Sequence, residues 1–218
     1  MRRLLLPLLI LLLSTNTFLF AGKNPATLLQ MNTATWEQFR WQGIIQVQSS
    51  AFAIRKNFVL SKNKEAMRLD ILDSGIMGLA AKPLASIYLK DKIVLDAPTI
   101  KQLEGIDPNW FISAKMVESI VHFTDSLQAA QQEIISSRKI KTGNTIFLYD
   151  KKYRLSQIKS SEPGFEANVI YNSHNQPTKI TVKYAGEPLA ELQITERRYD
   201  NIEIEPLQPE LPDLLELE

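Results

Sequence analysis

Few side chains in this sequence are equipped for chemistry, and their spacing argues against it. His122 and His174 are the only imidazoles in 218 residues. His122 falls in a helical pattern. His174 falls in Asn172-Ser173-His174-Asn175, whose composition is that of a solvated turn. A metal site built on histidine needs several ligands converging, and two isolated imidazoles do not supply them. Cysteine is absent. That removes thiolate nucleophiles, cysteine-ligated metals and disulfide frameworks, together with the cysteine on which bacterial lipoproteins carry their acyl chains. Asp70 and Asp73 are near neighbours, but an odd separation along a strand sends them to opposite faces. Such a pair cannot flank one glycosidic bond as acid and base. Ser74, between Asp73 and Gly75, lacks the flanking glycines of a hydrolase nucleophile elbow. No glycine-rich phosphate loop is present. The sequence predicts a protein that is not an enzyme, with no catalytic residue, no metal and no cofactor.

The elements that would position a site begin after an apolar leader. Arg2 and Arg3 precede an unbroken apolar run from Leu4 to Leu13, followed by Ser14 to Thr17 and then Phe18, Leu19 and Phe20. The run is shorter than the roughly 20 residues a bilayer span needs, and its flanks are those of a secretory leader. Residues 1–22 are therefore read as a signal peptide or an uncleaved anchor, with Ala21 and Gly22 as the small residues at its end. The chain is expected to be exported to the periplasm, associated there with the inner or outer membrane.

Beyond the leader the pattern from Pro25 to Phe39 is loosely helical, with Leu28, Met31 and Thr35 on one side. It then changes to period two. Trp41, Gly43, Ile45 and Val47 alternate with Arg40, Gln42, Gln46 and Gln48, and only Ile44 breaks the rule. Phe52, Ile54, Phe58 and Leu60 alternate in the next run, and Met67, Leu69 and Ile71 in a third. Such alternation is what an antiparallel sheet with one wet and one dry face requires. Lys62-Asn63-Lys64 and Lys90-Asp91-Lys92 read as polar turns.

Two helices follow. Asp107-Pro108 is an N-cap with proline at the first helical position, and Trp110, Ala114, Val117 and Val121 then recur at helical spacing beside Met116, Ile120 and Phe123. Asp125 with Gln128 opens a second helix whose Leu127, Ala130 and Ile134 share a face. Strand alternation returns at Thr145, Phe147 and Tyr149, then near Tyr153 to Gln157, Ala167 to Tyr171, Ile180 to Tyr184 and Leu189 to Thr195. About ten strands at this spacing suggest a closed or nearly closed antiparallel sheet.

Charge is uneven along the chain. From Ile202 to Glu218 there are six acids and no base, which leaves the body from Lys23 to Asn201 at +5. No dense Lys/Arg block is present, so nucleic acid is not an expected partner, whereas an anionic lipid surface is. Domain limits follow: leader 1–22, folded domain 23–201, and an acidic, proline-containing tail 202–218 that is extended from Pro206 onward.

Several segments resemble the LolA/LolB class of periplasmic lipoprotein carriers and receptors, and the nearer branch is LolB. "FRWQGIIQVQ" looks like that branch's opening strand with its glycine. "AFAIRKNFVLSKNKEAMRLDILDSGIMG" looks like the next hairpin and its glycine-bearing loop. "KYRLSQIKSS" is similar to the strand after the helix pair, and "NQPTKITVKY" to a later strand entered through proline. The resemblance runs from about Trp36 to Tyr199. It implies a mainly β (α+β) fold, an unclosed antiparallel β-barrel with an N-terminal helix and a covering helix pair, whose concave apolar face receives lipoprotein acyl chains. The missing lipoprotein cysteine is a departure from LolB, pointing to a soluble relative or to one held by its leader.

On this basis the lipid cavity is expected to be lined by Trp41, Ile45, Val47, Phe52, Ile54, Phe58, Leu60, Met67, Leu69 and Ile71, with Trp110, Met116 and Val117 from the covering helix. Ile76, Met77 and Leu79 sit among small residues where a polar turn would be normal, and the resemblance makes them a membrane-touching loop. Insertion of one such side chain contributes about 1.5–3 kcal/mol, a weak and reversible grip. The expected partners are lipoprotein acyl chains or another lipid, a membrane surface met transiently, and an envelope protein. The alternative is a non-enzymatic regulatory or scaffolding module that binds a protein partner through the same surface or the acidic tail.

Overall fold

The computed structural model describes residues 24–48, 53–73, 83–97, 119–122, 124–125, 127, 130–161 and 164–207. Helix α1, Pro25–Glu37, starts where the Asn24 side chain accepts from the Ala26 N–H at 3.0 Å. Pro25 takes the first helical turn, where its missing N–H has no partner to lose. Leu29 and Trp36 are the buried residues of α1. Phe39, one residue past the cap Gln38, already lies in a strand.

The strands are β1 (Phe39–Gln48), β2 (Ala53–Lys62), β3 (Met67–Leu72), β4 (Pro83–Leu89) and β5 (Ile93–Asp96). After helical residues at 119–121, 124, 125 and 127 comes helix α2, Gln131–Ser137. The chain continues with β6 (Lys139–Thr142), β7 (Thr145–Tyr149), β8 (Leu155–Ser160), β9 (Phe165–Tyr171), β10 (Pro177–Tyr184) and β11 (Glu187–Arg198). The helix expected to open at Asp107-Pro108 lies, up to residue 118, outside the described residues.

All eleven strands form one antiparallel sheet in the order β5-β4-β3-β2-β1-β11-β10-β9-β8-β7-β6. Two meanders are thus joined by β1 and β11, and the edges β5 and β6 are not hydrogen-bonded to each other. The fold is the unclosed barrel that the resemblance implies, with eleven strands rather than about ten. Two of the strands flank the Lys90-Asp91-Lys92 turn, and the short β6 adds another. Laid flat, eleven strands at about 4.8 Å would span roughly 50 Å. Instead Phe58 and Ile71 from β2 and β3 share one buried core with Phe147 and Ile158 from β7 and β8. The sheet must curl for these to meet.

Gly43 lets it curl. The β1–β11 register shifts between Gln42 and Gly43, and a Cβ built on Gly43 would lie 1.9 Å from the Gln193 carbonyl oxygen. Only a residue without a side chain allows β11 to approach this closely at the bulge.

Past β11 the chain does not leave the body at once. Ile202 is buried, and the Glu205 carbonyl accepts from Arg68 Nη1 at 2.8 Å. Arg68 is a cross-strand partner of Ser61 on the face that Asp70 and Val59 share. The beginning of the acidic tail is therefore strapped across the convex side of β3. There Val59, Ser61 and Ser86 are also buried.

Candidate functional site

Register assigns the two faces of the sheet. Directly opposed residues in an antiparallel pair share a face. Trp41 opposes Leu60, which opposes Leu69, which opposes Ile87. Val47 opposes Ile54, Phe58 opposes Ile71, and Lys62 opposes Met67. In the other direction Ile45 opposes Leu192, then Ile180, then Val169. One face is thus a largely apolar surface across the sheet, interrupted by Lys56 and Lys62, and it is the concave one because its residues meet in the shared core.

The nine expected lining residues that are described, Trp41, Ile45, Val47, Ile54, Phe58, Leu60, Met67, Leu69 and Ile71, all lie on this face by register. Phe52, Trp110, Met116 and Val117 lie outside the described residues, as do Ile76, Met77 and Leu79. The anchors of that last loop, Leu72 and Pro83, oppose each other at one end of the sheet. This end, which also carries Val47, Ile54, Thr145 and Tyr184, is called the rim below.

The opposite end is closed. Trp36 of α1 meets Phe39 and Trp41 edge-on at 5.9 and 5.1 Å, and Phe39 stacks on Trp41 at 3.8 Å. Such aromatic pairs favour this packing beyond the area they bury. Helix α1 is fastened on both sides. Asn32 Nδ2 donates to the carbonyls of Lys152 and Tyr153 at 2.8 and 3.3 Å. Lys62 Nζ donates to the Glu37 carbonyl at 3.4 Å and to the Asn63 carbonyl at 3.2 Å. Arg154 completes this end, pairing with Asp150 and lying 4.5 Å from the centre of the Tyr171 ring.

Burial along the concave face is uneven. Trp41 and Phe58 are 0% and 1% exposed, whereas Val47 and Ile54, further along β1 and β2, are only half-buried. Met67, Leu69, Ile87, Ile180 and Val182 are half-buried as well. At the rim the inner face turns polar, where Lys56 Nζ reaches Asp73 Oδ1 at 2.9 Å. Deeper in, Trp41 Nε1 and Tyr149 Oη are buried with no hydrogen-bond partner among the described residues. Burial also pushes the Tyr149 phenol well above its ordinary range. An apolar chain laid against this face would lose water from both surfaces without asking either to form a directed bond.

The residues that looked least promising for chemistry behave accordingly. Asp70 lies on the convex face, receiving Arg68 Nε at 2.8 Å and Ser86 Oγ at 2.6 Å, while Asp73 turns inward to Lys56. His174 is exposed in the 172–176 turn, its backbone N–H bonded to Asn172 Oδ1 at 2.9 Å.

No family model and no curated protein matches this chain. Solved structures do. A LolA superfamily protein from Nitrosomonas europaea is 8% identical, with a TM-score of 0.42 over 81% of this chain and 94% of that one. A domain provisionally assigned as an outer membrane lipoprotein-sorting protein from Vibrio parahaemolyticus is also 8% identical, with a TM-score of 0.42 over 79% and 91%. A DUF1329 family protein from Desulfovibrio piger is 9% identical, with a TM-score of 0.30 over 81% and 92%. None of these three names the LolB branch.

Compared with the sequence reading, this face is wider by a whole meander. Phe147, Ile158, Ala167, Val169, Ile180, Val182, Leu192 and Ile194 join the lining residues of β1–β3. Their alternation was visible in the sequence, but nothing local said that the two meanders face each other. Lys62 was missed for another reason. Its neighbours Asn63 and Lys64 made it look like part of a turn, yet it ends β2 on the inner face and is fully buried.

Proposed function

We propose that this protein binds the acyl chains of a lipoprotein or another lipid against the concave face of its open sheet and passes them on in the cell envelope. It does so without making or breaking a covalent bond. The observation that carries this is the partial exposure of the inner face: a largely apolar surface, sealed by α1 and three aromatic rings at one end, on which Val47, Ile54, Met67, Leu69, Ile180 and Val182 stay half-exposed. A face meant only as core gains nothing from leaving Val47, Ile54, Leu69 and Val182 partly wet. A face meant to receive a hydrocarbon chain needs such a region, because the chain must enter somewhere. Among the described residues no strand pairs with the outer edges of β5 and β6, which leaves a seam along which the sheet can open.

The competing reading is a regulatory or scaffolding module whose inner face is simply packed, and the complete burial of Phe39, Trp41, Phe58, Phe147 and Leu155 favours it for the closed end. Native mass spectrometry of the purified protein separates the two, since bound lipid is expected for a carrier and a clean apo mass for a module. Ile54→Glu, near the rim, should abolish lipid uptake with secondary structure retained, because the new carboxylate can reach water while blocking the chain. Leu69→Glu should do the same. Loss of fold in both variants, with no lipid on the wild type, would establish the packed module instead.

A further inference from the structure

The convex side of the rim carries a group of charges that the acyl-chain reading leaves unused. Lys141 on β6, Ile146 on β7, Lys159 on β8, Glu166 on β9 and Lys183 on β10 are successive cross-strand partners. All five side chains therefore stand in one row on the outer face, spaced by roughly 5 Å from strand to strand. The row lines a cleft of about 340 Å³, to which Asn144, Phe165 and Gly186 also contribute. Three ammonium groups face one carboxylate.

That carboxylate is already committed. Glu166 Oε1 accepts from Asn168 Nδ2 at 2.9 Å and from Gln157 Nε2 at 3.1 Å, and Lys159 Nζ lies 3.6 Å from Oε2. The Asn168 hydrogen bond, with the attraction of Lys159 and Lys183, holds Glu166 below its ordinary pKa, so it remains a single fixed negative charge. Glu187, the nearest other carboxylate among the described residues of the β6–β10 turns, opposes Tyr184 and not Lys183, one position off the row. The lysine row thus keeps a net positive charge.

Glycines stand in the turns beside the row. The hairpin turns end in Gly143 and Gly186, where an added Cβ would meet nothing within 4 Å, and Gly164 sits on the turn between β8 and β9. No side chain from these glycines holds a flat surface away from the lysines. Lysine is a compact point charge on a flexible stem, suited to many loosely placed phosphates more than to one rigid anion.

We propose that this cleft is a docking surface for an anionic phospholipid bilayer, with Lys141, Lys159 and Lys183 reaching its headgroup phosphates. Val47 and Ile54, half-buried on the inner face, lie toward the same end of the sheet, so docking would bring them toward the membrane. The inference does not depend on acyl-chain binding, because a protein with a packed core could dock in the same way.

Co-sedimentation of the purified full chain with vesicles tests it. The vesicles are phosphatidylglycerol mixed with phosphatidylcholine, or phosphatidylcholine alone, the latter giving any binding due to the apolar leader. Replacing all three of Lys141, Lys159 and Lys183 by Gln should weaken the anionic-vesicle component on the order of a hundredfold, from about a fivefold step per lysine. Raising the salt should erase the difference. Lys151→Gln with Lys152→Gln, at the closed end, should leave binding unchanged. All five lysines are solvent-facing, and an unaltered circular dichroism spectrum and melting curve confirm that each protein is folded. A triple Lys→Arg variant, which keeps the charge, should bind as wild type does. Equal losses per charge at the two ends, no loss at the rim, or full displacement by inorganic phosphate at matched ionic strength would each overturn the assignment.

Discussion

Lys62 offers a quantitative test of how α1 is held to the closed end. Its side chain has no solvent exposure, and its ammonium faces the Glu37 and Asn63 carbonyls. Desolvation is the largest influence and lowers its pKa from 10.5 to about 8, against the attraction of Asp125 and Glu37. In the unfolded chain the same lysine binds its proton more tightly. Stability linked to this group is therefore present above the unfolded value and is lost as pH falls through about 8. The burial penalty at neutral pH amounts to about 3 kcal/mol, and it shrinks to about 1 kcal/mol near pH 9.5. Lys62→Met keeps most of the volume and removes the charge. It also removes the two carbonyl contacts, each worth about 1 kcal/mol, but that loss does not vary with pH. Urea unfolding followed by tryptophan fluorescence, from pH 7 to about 9.5, should thus show the wild type gaining about 2 kcal/mol relative to Lys62→Met. Tyr149 and Tyr171 act in the opposite sense. Burial raises both, so stability linked to them is lost as pH rises past the ordinary phenol value of 10. They are present in both proteins and cancel in the difference. Parallel profiles would refute the reasoning, because they would mean that the folded protein hydrates or pairs this ammonium as well as water does.

Two further outcomes concern the sheet and its rim. Gly43→Ala should destabilise the domain by about 2 kcal/mol or more, since the new methyl falls on the Gln193 carbonyl and the bulge must move; a melting temperature within a degree or two of wild type would show that β11 gives way freely. Ile76→Glu with Met77→Glu should leave folding and lipid uptake intact while reducing flotation with neutral liposomes and release of cargo to them, and equal flotation of the two proteins would make that loop only a seal of the barrel end.

Much of the fold was legible because strand alternation is a local signal. Trp41, Ile45 and Val47 announce a half-buried strand without reference to anything distant, and so do Phe147 and Tyr149. Pairing is not local. That β1 closes against β11, across some 150 intervening residues, depends on two meanders curling in the same sense. The glycine in "FRWQGIIQVQ" was noticeable as a small residue in an apolar row, but its reason, the Gln193 carbonyl, belongs to the far end of the chain. The short edges β5 and β6 were hidden by brevity, at four residues each. The lysine row was hidden by dispersion. Lys141, Lys159 and Lys183 stand about twenty residues apart, and only the register of four strand pairs makes them neighbours.

The same physics bears on what an acyl-binding face of the kind proposed asks of its sequence. An acyl chain presents no donor, acceptor or charge, so a surface that receives it needs area and dryness and not particular atoms. Valine, isoleucine, leucine and phenylalanine exchange freely in such a face if the total volume is kept. What cannot be exchanged is backbone geometry: the bulge at Gly43, the caps of α1, and a seam where β5 and β6 stay unpaired. A closed barrel has a circumference fixed by its hydrogen bonds, and enlarging its interior would break a complete ladder. With an open seam the interior can widen by changing strand twist and coil alone, at the cost of apolar contacts that a bound chain would replace. The four-residue edges then follow from the same requirement. β6 carries Lys139 and Lys141, both exposed, and a short, charged edge discourages pairing with another sheet while leaving the seam free to move.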